Sequence, residues 1–336
     1  MPRPVAWAWR IAPGLLICIV IALASTFVSE HYGWPTLLYA LLLGMAFFFL
    51  SISASTSSGI QFGSRTVLRL GVALLGARIT LAQIIELGPA PILIVIGAII
   101  STILFGRVAS RVLKLDRAMG LLTAGATAIC GASAALAISA VMPKHAKLER
   151  DTIFTVIAVT ALSTLAMIIY PLIVEAIGFD KTEKGIFIGA TIHDVAQVVG
   201  AGYMISDETG DAATFTKLLR VAMLAPVVLI VALVVARWGR GQVGSTRGAR
   251  AGLPWFLVAF VVIVAINSFG IIPSSVQDGM VDVSRWCLVV AIAGLGMKSS
   301  FQELAVLGWR PVALVVSETL FLAGLVLIAL LIESGI

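Results

Sequence analysis

The sequence reads as an all-α polytopic membrane protein of about 11 transmembrane helices, each near the 20 residues a bilayer crossing needs. Three observations point there. Of 336 residues, 60% are hydrophobic and 12% charged, with a mean hydropathy of +1.08, whereas a soluble domain carries about 25% charge. Apolar runs long enough to cross a bilayer recur along the whole length. Polar residues inside those runs gather in two small-residue segments, Gly125-Ala-Thr-Ala-Ile-Cys-Gly-Ala-Ser133 and Gly189-Ala-Thr-Ile-His-Asp-Val-Ala-Gln197.

In chain order the spans fall at 12–28, 35–53, 66–82, 90–105, 118–141, 152–177, 185–205, 218–236, 255–269, 286–297 and 311–332. The first follows Arg3 and Arg10 and lacks a small-x-small cleavage site before Ser29-Glu30-His31, so it reads as a retained helix. The only long polar linker, 238–253, is rich in Gly, Ser and Arg and reads as a cytoplasmic loop. The chain is taken as one transmembrane domain, 1–336, with halves of about 1–180 and 181–336.

Orientation follows from Lys and Arg in short loops. Arg3/Arg10, Arg65/Arg69, Arg107/Arg111/Lys114/Arg117, Lys181/Lys184 and Arg237/Arg240/Arg247/Arg250 fall on one side, assigned to the cytoplasm. The acidic stretches 206–211 and 277–282 fall opposite, while the basic stretch 143–150 disagrees with the alternation. The net charge of +6 is therefore an orientation signal and a contact with anionic lipid, not a nucleic-acid footprint. Cys18, Cys130 and Cys287 show no redox or ligand spacing. Neither a metal cluster nor a phosphate-binding loop is legible, so no cofactor is expected. A Gly-x-Ser-x-Gly elbow is also missing, so the chain is not read as an enzyme.

An internal echo suggests a repeat. Leu75 to Pro91 aligns without gaps on Leu295 to Pro311, 220 residues on: Gly76, Leu87, Gly88 and Pro91 recur as Gly296, Leu307, Gly308 and Pro311, and Arg78 becomes Lys298. One copy ends outside and the other inside, as an inverted repeat requires. A common turn between two membrane helices would produce the same pattern.

The two polar segments carry the chemistry. Around Thr127, Cys130, Gly131 and Ser133, small side chains permit tight helix packing. Gly125 and Gly131 also permit a helix break at mid-membrane that frees N–H groups for an anion. In the second segment, Asp194 costs roughly 2.5–3.5 kcal/mol at a span's centre, so it needs a cavity or a partner. On a continuous helix His193 and Gln197 share a face, aimed at substrate, and Asp194 turns toward a cation among Arg78, Lys217, Arg220 and Lys298. His193 is the natural proton carrier.

These two segments, with Leu-Gly-Met-Lys-Ser-Ser at 295–300 and Leu-Gly-Trp-Arg-Pro at 307–311, resemble the YeiH-like family of bacterial inner-membrane proteins over essentially the whole chain. Members carry the label of sulfate exporters. More distantly, the Gly-Ala-Thr segment with its small-residue helix is similar to the broken crossing helix of the sodium/proton antiporter and bile-acid symporter superfamily. That likeness implies inverted repeats with broken crossing helices, a core domain beside a panel, and a homodimer as one oligomeric option. The second crossing helix is then expected in the tenth span, where Gly294, Gly296, Lys298, Ser299 and Ser300 supply break and binding groups, ahead of the His193 span.

The expected function is a secondary transporter of a small anion, sulfate or a related sulfur oxyanion or organosulfonate, coupled to H+ or Na+. The substrate is placed among Thr127, Cys130, Gly131, Ser133, His193, Gln197, Ser299 and Ser300. Charge and coupling are assigned to His193, Asp194, Arg78 and Lys298, with Lys217 and Arg220 as further sources of positive charge. The rival is a cation/proton antiporter working through Asp194, with Glu318 a second acid inside a span.

Overall fold

A computed structural model describes residues 3–32, 35–86, 88–143, 147–238, 254–299 and 309–334. It contains α1 (Arg3–Tyr32), α2 (Thr36–Ala46), α3 (Phe49–Ile52), α4 (Ser57–Phe62), α5 (Leu68–Leu74) and α6 (Leu81–Glu86). There follow α7 (Ala90–Val112), α8 (Arg117–Ala128), α9 (Ala132–Val141), α10 (Leu148–Ile177), α11 (Lys181–Thr191) and α12 (Val195–Ile205). The chain continues through α13 (Asp207–Ala222), α14 (Leu224–Trp238), α15 (Trp255–Ser268), α16 (Ser274–Lys298) and α17 (Trp309–Ser334). Among the described residues six helices are long and apolar enough to cross a membrane, and four further apolar helices have 10–17 residues. The protein is a multi-pass membrane protein.

The chain forms two compact units, each drawing on both halves of the sequence. The first comprises Met1–Gly88, Val199–Asp211 and Pro254–Ser300. Here α16 packs along α2 and α5. Gly44 on α2 and Gly296 on α16 approach so closely that a Cβ on either would strike the other helix's backbone. α16 runs unbroken from Ser274 to Lys298, with every side chain from Cys287 to Met297 buried. This corrects the expectation of a break in the tenth span: its glycines serve close packing inside a continuous helix. Ser300 and most of the linker lie outside the described residues.

The second unit comprises Pro89–Val198, Ala212–Leu253 and Phe301–Ile336. α7 packs on α8 and on α17, and Phe105 stacks on Phe321 with ring centroids 4.2 Å apart. Leu122, Ile138, Phe154, Val159, Leu314 and Val315 belong to one buried apolar cluster. Gly178, at φ 84°, ends α10. The Asp180–Glu183 capping box then starts α11, each side chain accepting from the other residue's backbone N–H.

Both polar segments are broken helices in this unit. The first stops at Ala128 and resumes at Ala132, turning at Gly131, whose φ of 60° and ψ of −122° side-chain-bearing residues rarely adopt. The second stops at Thr191 and resumes at Val195. The favoured expectation ran one helix through 185–205, with a break in the His193 span as the alternative; His193 and Asp194 sit in a break and not on one helical face.

Candidate functional site

Each break exposes backbone groups that an intact helix would pair. The last carbonyls of α8 and α11 lose their intrahelical donors, and the first N–H groups of α9 and α12 lose their intrahelical acceptors. The carbonyl ends are occupied. Two fully buried cations on α13, Lys217 and Arg220, reach them. Lys217 Nζ donates to the carbonyls of Ile129 at 2.8 Å, Ile192 at 2.9 Å and His193 at 2.5 Å. Arg220 Nε donates to Ala128 at 3.0 Å, Nη1 to Gly189 at 3.0 Å and Ile192 at 2.9 Å, and Nη2 to Thr127 at 2.8 Å.

Gly189 makes this reach feasible: a Cβ there would collide with the Ala213 carbonyl, so only glycine lets α11 sit against α13. The cations also face the negative ends of α8 and α11, an interaction worth up to about 2 kcal/mol when partly buried. That attraction and the six carbonyls offset the cost of burying two like charges one helical turn apart.

His193 lies beside this cluster, 1% exposed. Its Nδ1 is 3.2 Å from the Thr127 carbonyl and its Nε2 is 3.0 Å from Thr319 Oγ1. A carbonyl only accepts, so Nδ1 carries a proton. In the neutral ring Nε2 then accepts from the Thr319 hydroxyl. That hydroxyl has a second acceptor, the Val315 carbonyl at 2.8 Å. The Thr319 hydroxyl can therefore donate either to Nε2 or to the Val315 carbonyl. The ring is a packed group that joins the end of α8 to α17.

α10 holds the start of α12. The Asp194 N–H donates to Ser163 Oγ at 3.0 Å, and Gln197 Nε2 donates to Thr164 Oγ1 at 3.3 Å. Gln197 is fully buried and its Oε1 has no partner among the described residues. The Asp194 carboxylate, half-buried, forms no ion pair or hydrogen bond among the described residues, although it lies within electrostatic reach of Lys217. Cys130 Sγ and Ser133 Oγ are 2.8 Å apart at the first break, with Ser133 exposed.

Glu318, fully buried on α17, accepts from Thr123 Oγ1 at 2.8 Å through Oε1. Its Oε2 and the neighbouring Thr127 hydroxyl both lack a partner that meets hydrogen-bond geometry.

The second unit thus brings together Thr127, Cys130, Gly131, Ser133, His193, Asp194 and Gln197. Arg78, Lys298 and Ser299 belong to the first unit. Arg78 is not the partner of Asp194: it pairs with Asp211 at 2.8 Å and Asp207 at 3.0 Å and lines a cavity of about 530 Å3 with Tyr203 and Arg285. Lys298 is exposed at the end of α16, and the Ser299 hydroxyl turns back to the Leu295 carbonyl. Among the described residues no cluster of His, Cys, Asp or Glu could hold a metal ion. Sequence reasoning gave Thr319, Ser163 and Thr164 no role. It noted Lys217 and Arg220 only as charges; their spacing of three inside an apolar stretch was the available signal.

These features define a helical multi-pass membrane protein with two discontinuous helices pinned at their breaks by buried cations. Residues 13–315 match the family model described as Conserved hypothetical protein 698. The chain is 54% identical over 319 residues to UPF0324 membrane protein CT0845 of Chlorobaculum tepidum, covering 95% of this chain and 88% of that protein. It is 51% identical over 316 residues to UPF0324 membrane protein RB0971 of Rhizobium meliloti, covering 94% and 91%. Against UPF0324 membrane protein TauZ of Paracoccus denitrificans it is 47% identical over 321 residues, covering 95% and 94%. The chain belongs to the UPF0324 membrane protein family. No solved structure matches it.

Proposed function

We propose that the protein is a secondary transporter of a small anion, sulfate or a related sulfur oxyanion or organosulfonate, driven by an ion gradient. One observation carries the reading. The carbonyl ends of both broken helices are capped by Lys217 and Arg220, while the N–H ends at Ala132 and Val195 begin without intrahelical acceptors. Two positive helix ends beside two buried cations favour an anion. Discontinuous helices of this kind surround substrate in many transporters. An inverted-repeat core is part of the reading. The two echo copies lead into α7 and α17, which pack on one another, and each polar segment is broken. The YeiH-like exporter resemblance agrees in direction.

Uptake of radiolabelled sulfate, and then of an alkylsulfonate, into proteoliposomes with and without a pH gradient tests the proposal. Saturable, gradient-dependent uptake that His193→Ala abolishes is expected. No uptake of either anion by folded protein under any gradient would discard it.

A second reading, a cation/proton antiporter, is favoured by the half-buried Asp194 carboxylate and its lack of an ion pair. It requires Asp194→Asn to abolish all exchange; anion uptake that survives this substitution removes it.

A further inference from the structure

We infer that the meeting point of the two breaks is a monovalent-cation site whose occupant is the chain's own Lys217 ammonium, so that no sodium ion binds there. This deepens the transporter reading by removing sodium at this site from the candidate coupling ions.

The carbonyls of Ile129, Ile192 and His193 converge on one nitrogen at 2.5–2.9 Å. One comes from the first break and two from the second. Three acceptors around a single nitrogen require three N–H donors, which an ammonium has and a neutral amine lacks. Unwound carbonyls and half-helix C-terminal ends are the groups that coordinate sodium in transporters with broken helices. Oxygen-only shells of this kind suit hard cations. Here the shell is full: the tethered Nζ is held beside it at an effective concentration a dissolved ion does not match. Arg220, on the next turn of α13, takes the adjoining carbonyls of Thr127, Ala128 and Gly189 and shares that of Ile192. An arriving sodium ion would therefore find its oxygens donated to and a fixed positive charge alongside.

The test uses the purified full chain in nanodiscs. Its unfolding midpoint is compared in NaCl, KCl and choline chloride at one ionic strength, for the wild type, Lys217→Ala and Lys217→Met. The wild type is expected to be indifferent to the cation. Lys217→Ala, which leaves three carbonyls unpaired around an open space, is expected to unfold roughly 5–10 °C lower. It should recover in methylammonium or sodium and fail to recover in choline. Lys217→Met fills the space without charge and should recover in none. Sodium-specific stabilisation of the wild type, or a Lys217→Ala protein restored by no cation, would overturn the inference. Should Lys217→Ala not fold, equilibrium binding of radiolabelled sodium to the wild type and to Lys217→Met decides: no binding, or binding that Lys217→Met leaves unchanged, supports the inference, and stoichiometric binding that Lys217→Met abolishes overturns it. None of these readouts requires transport, so failure here leaves the uptake result standing, and failure of uptake leaves this site standing.

Discussion

Arg220 and His193 meet at one atom: the Thr127 carbonyl oxygen accepts from Arg220 Nη2 at 2.8 Å and faces His193 Nδ1 at 3.2 Å. A guanidinium and an imidazole therefore share the last turn of α8. Anything that alters the charge on the ring is felt by the guanidinium and by the helix end it caps.

Arg220→Ala should be among the most destabilising single substitutions in the chain. It strips the charged donor from the buried carbonyls of Thr127, Ala128 and Gly189 and one of two from that of Ile192, and removing one partner of a buried ionic network costs about 3–5 kcal/mol. Arg220→Lys keeps the charge but loses the planar fork, so it should fall between the two. Thermal unfolding followed by intrinsic tryptophan fluorescence orders the three proteins.

The His193 ring should rest as the Nδ1–H tautomer. Nitrogen-15 spectra of histidine-labelled protein distinguish the two ring nitrogens directly. A resting Nε2–H tautomer would contradict the hydrogen-bond assignment. Thr319→Val removes the Nε2 partner and should slow proton exchange at the ring while leaving the Thr127 contact in place.

Glu318→Gln should leave stability unchanged or raise it. The amide oxygen can still accept from Thr123, and the new NH2 group can donate to the neighbouring Thr127 hydroxyl. Glu318→Ala opens a cavity and leaves Thr123 with only the Met119 carbonyl at 3.0 Å, and should cost about 1–3 kcal/mol. If the Glu318 carboxyl carries a transported proton, the Gln variant is stable and transport loses its dependence on the pH gradient; unfolding midpoints and flux assays separate the two effects.

Gly131→Ala should cost of order 1–3 kcal/mol, because its backbone angles strain any L side chain. Gly125→Ala probes something different. Gly125 lies inside α8 with an Ile138 methyl against it, so the penalty there is a packing clash. Circular dichroism melts of the two variants, compared with their transport, separate a weakened break from a weakened core.

The first break was legible in the sequence because a glycine pair among small residues marks it, and Gly131 is where the chain turns. The second was not. Ile192, His193 and Asp194 contain no Gly or Pro, so the polar residues that interrupt the 185–205 stretch carry no helix-breaking signal. What opens that helix is tertiary: Ser163 takes the Asp194 N–H and Lys217 takes the Ile192 and His193 carbonyls. Glycine content misled in the opposite direction at α16, where Gly294 and Gly296 mark close helix approach within a continuous rod. Lys217 and Arg220 were hidden because the polar residues after Asp207 made the start of α13 read as a loop, which placed both cations near a membrane surface.

Lys217 and Arg220 stand three residues apart on one face of α13, and each grips both breaks at once. This arrangement has a mechanical meaning. For the two discontinuities to slide past each other, several charge-assisted hydrogen bonds would have to yield together, at about 1.5–3 kcal/mol apiece. The two breaks are therefore clamped to α13 as a single block.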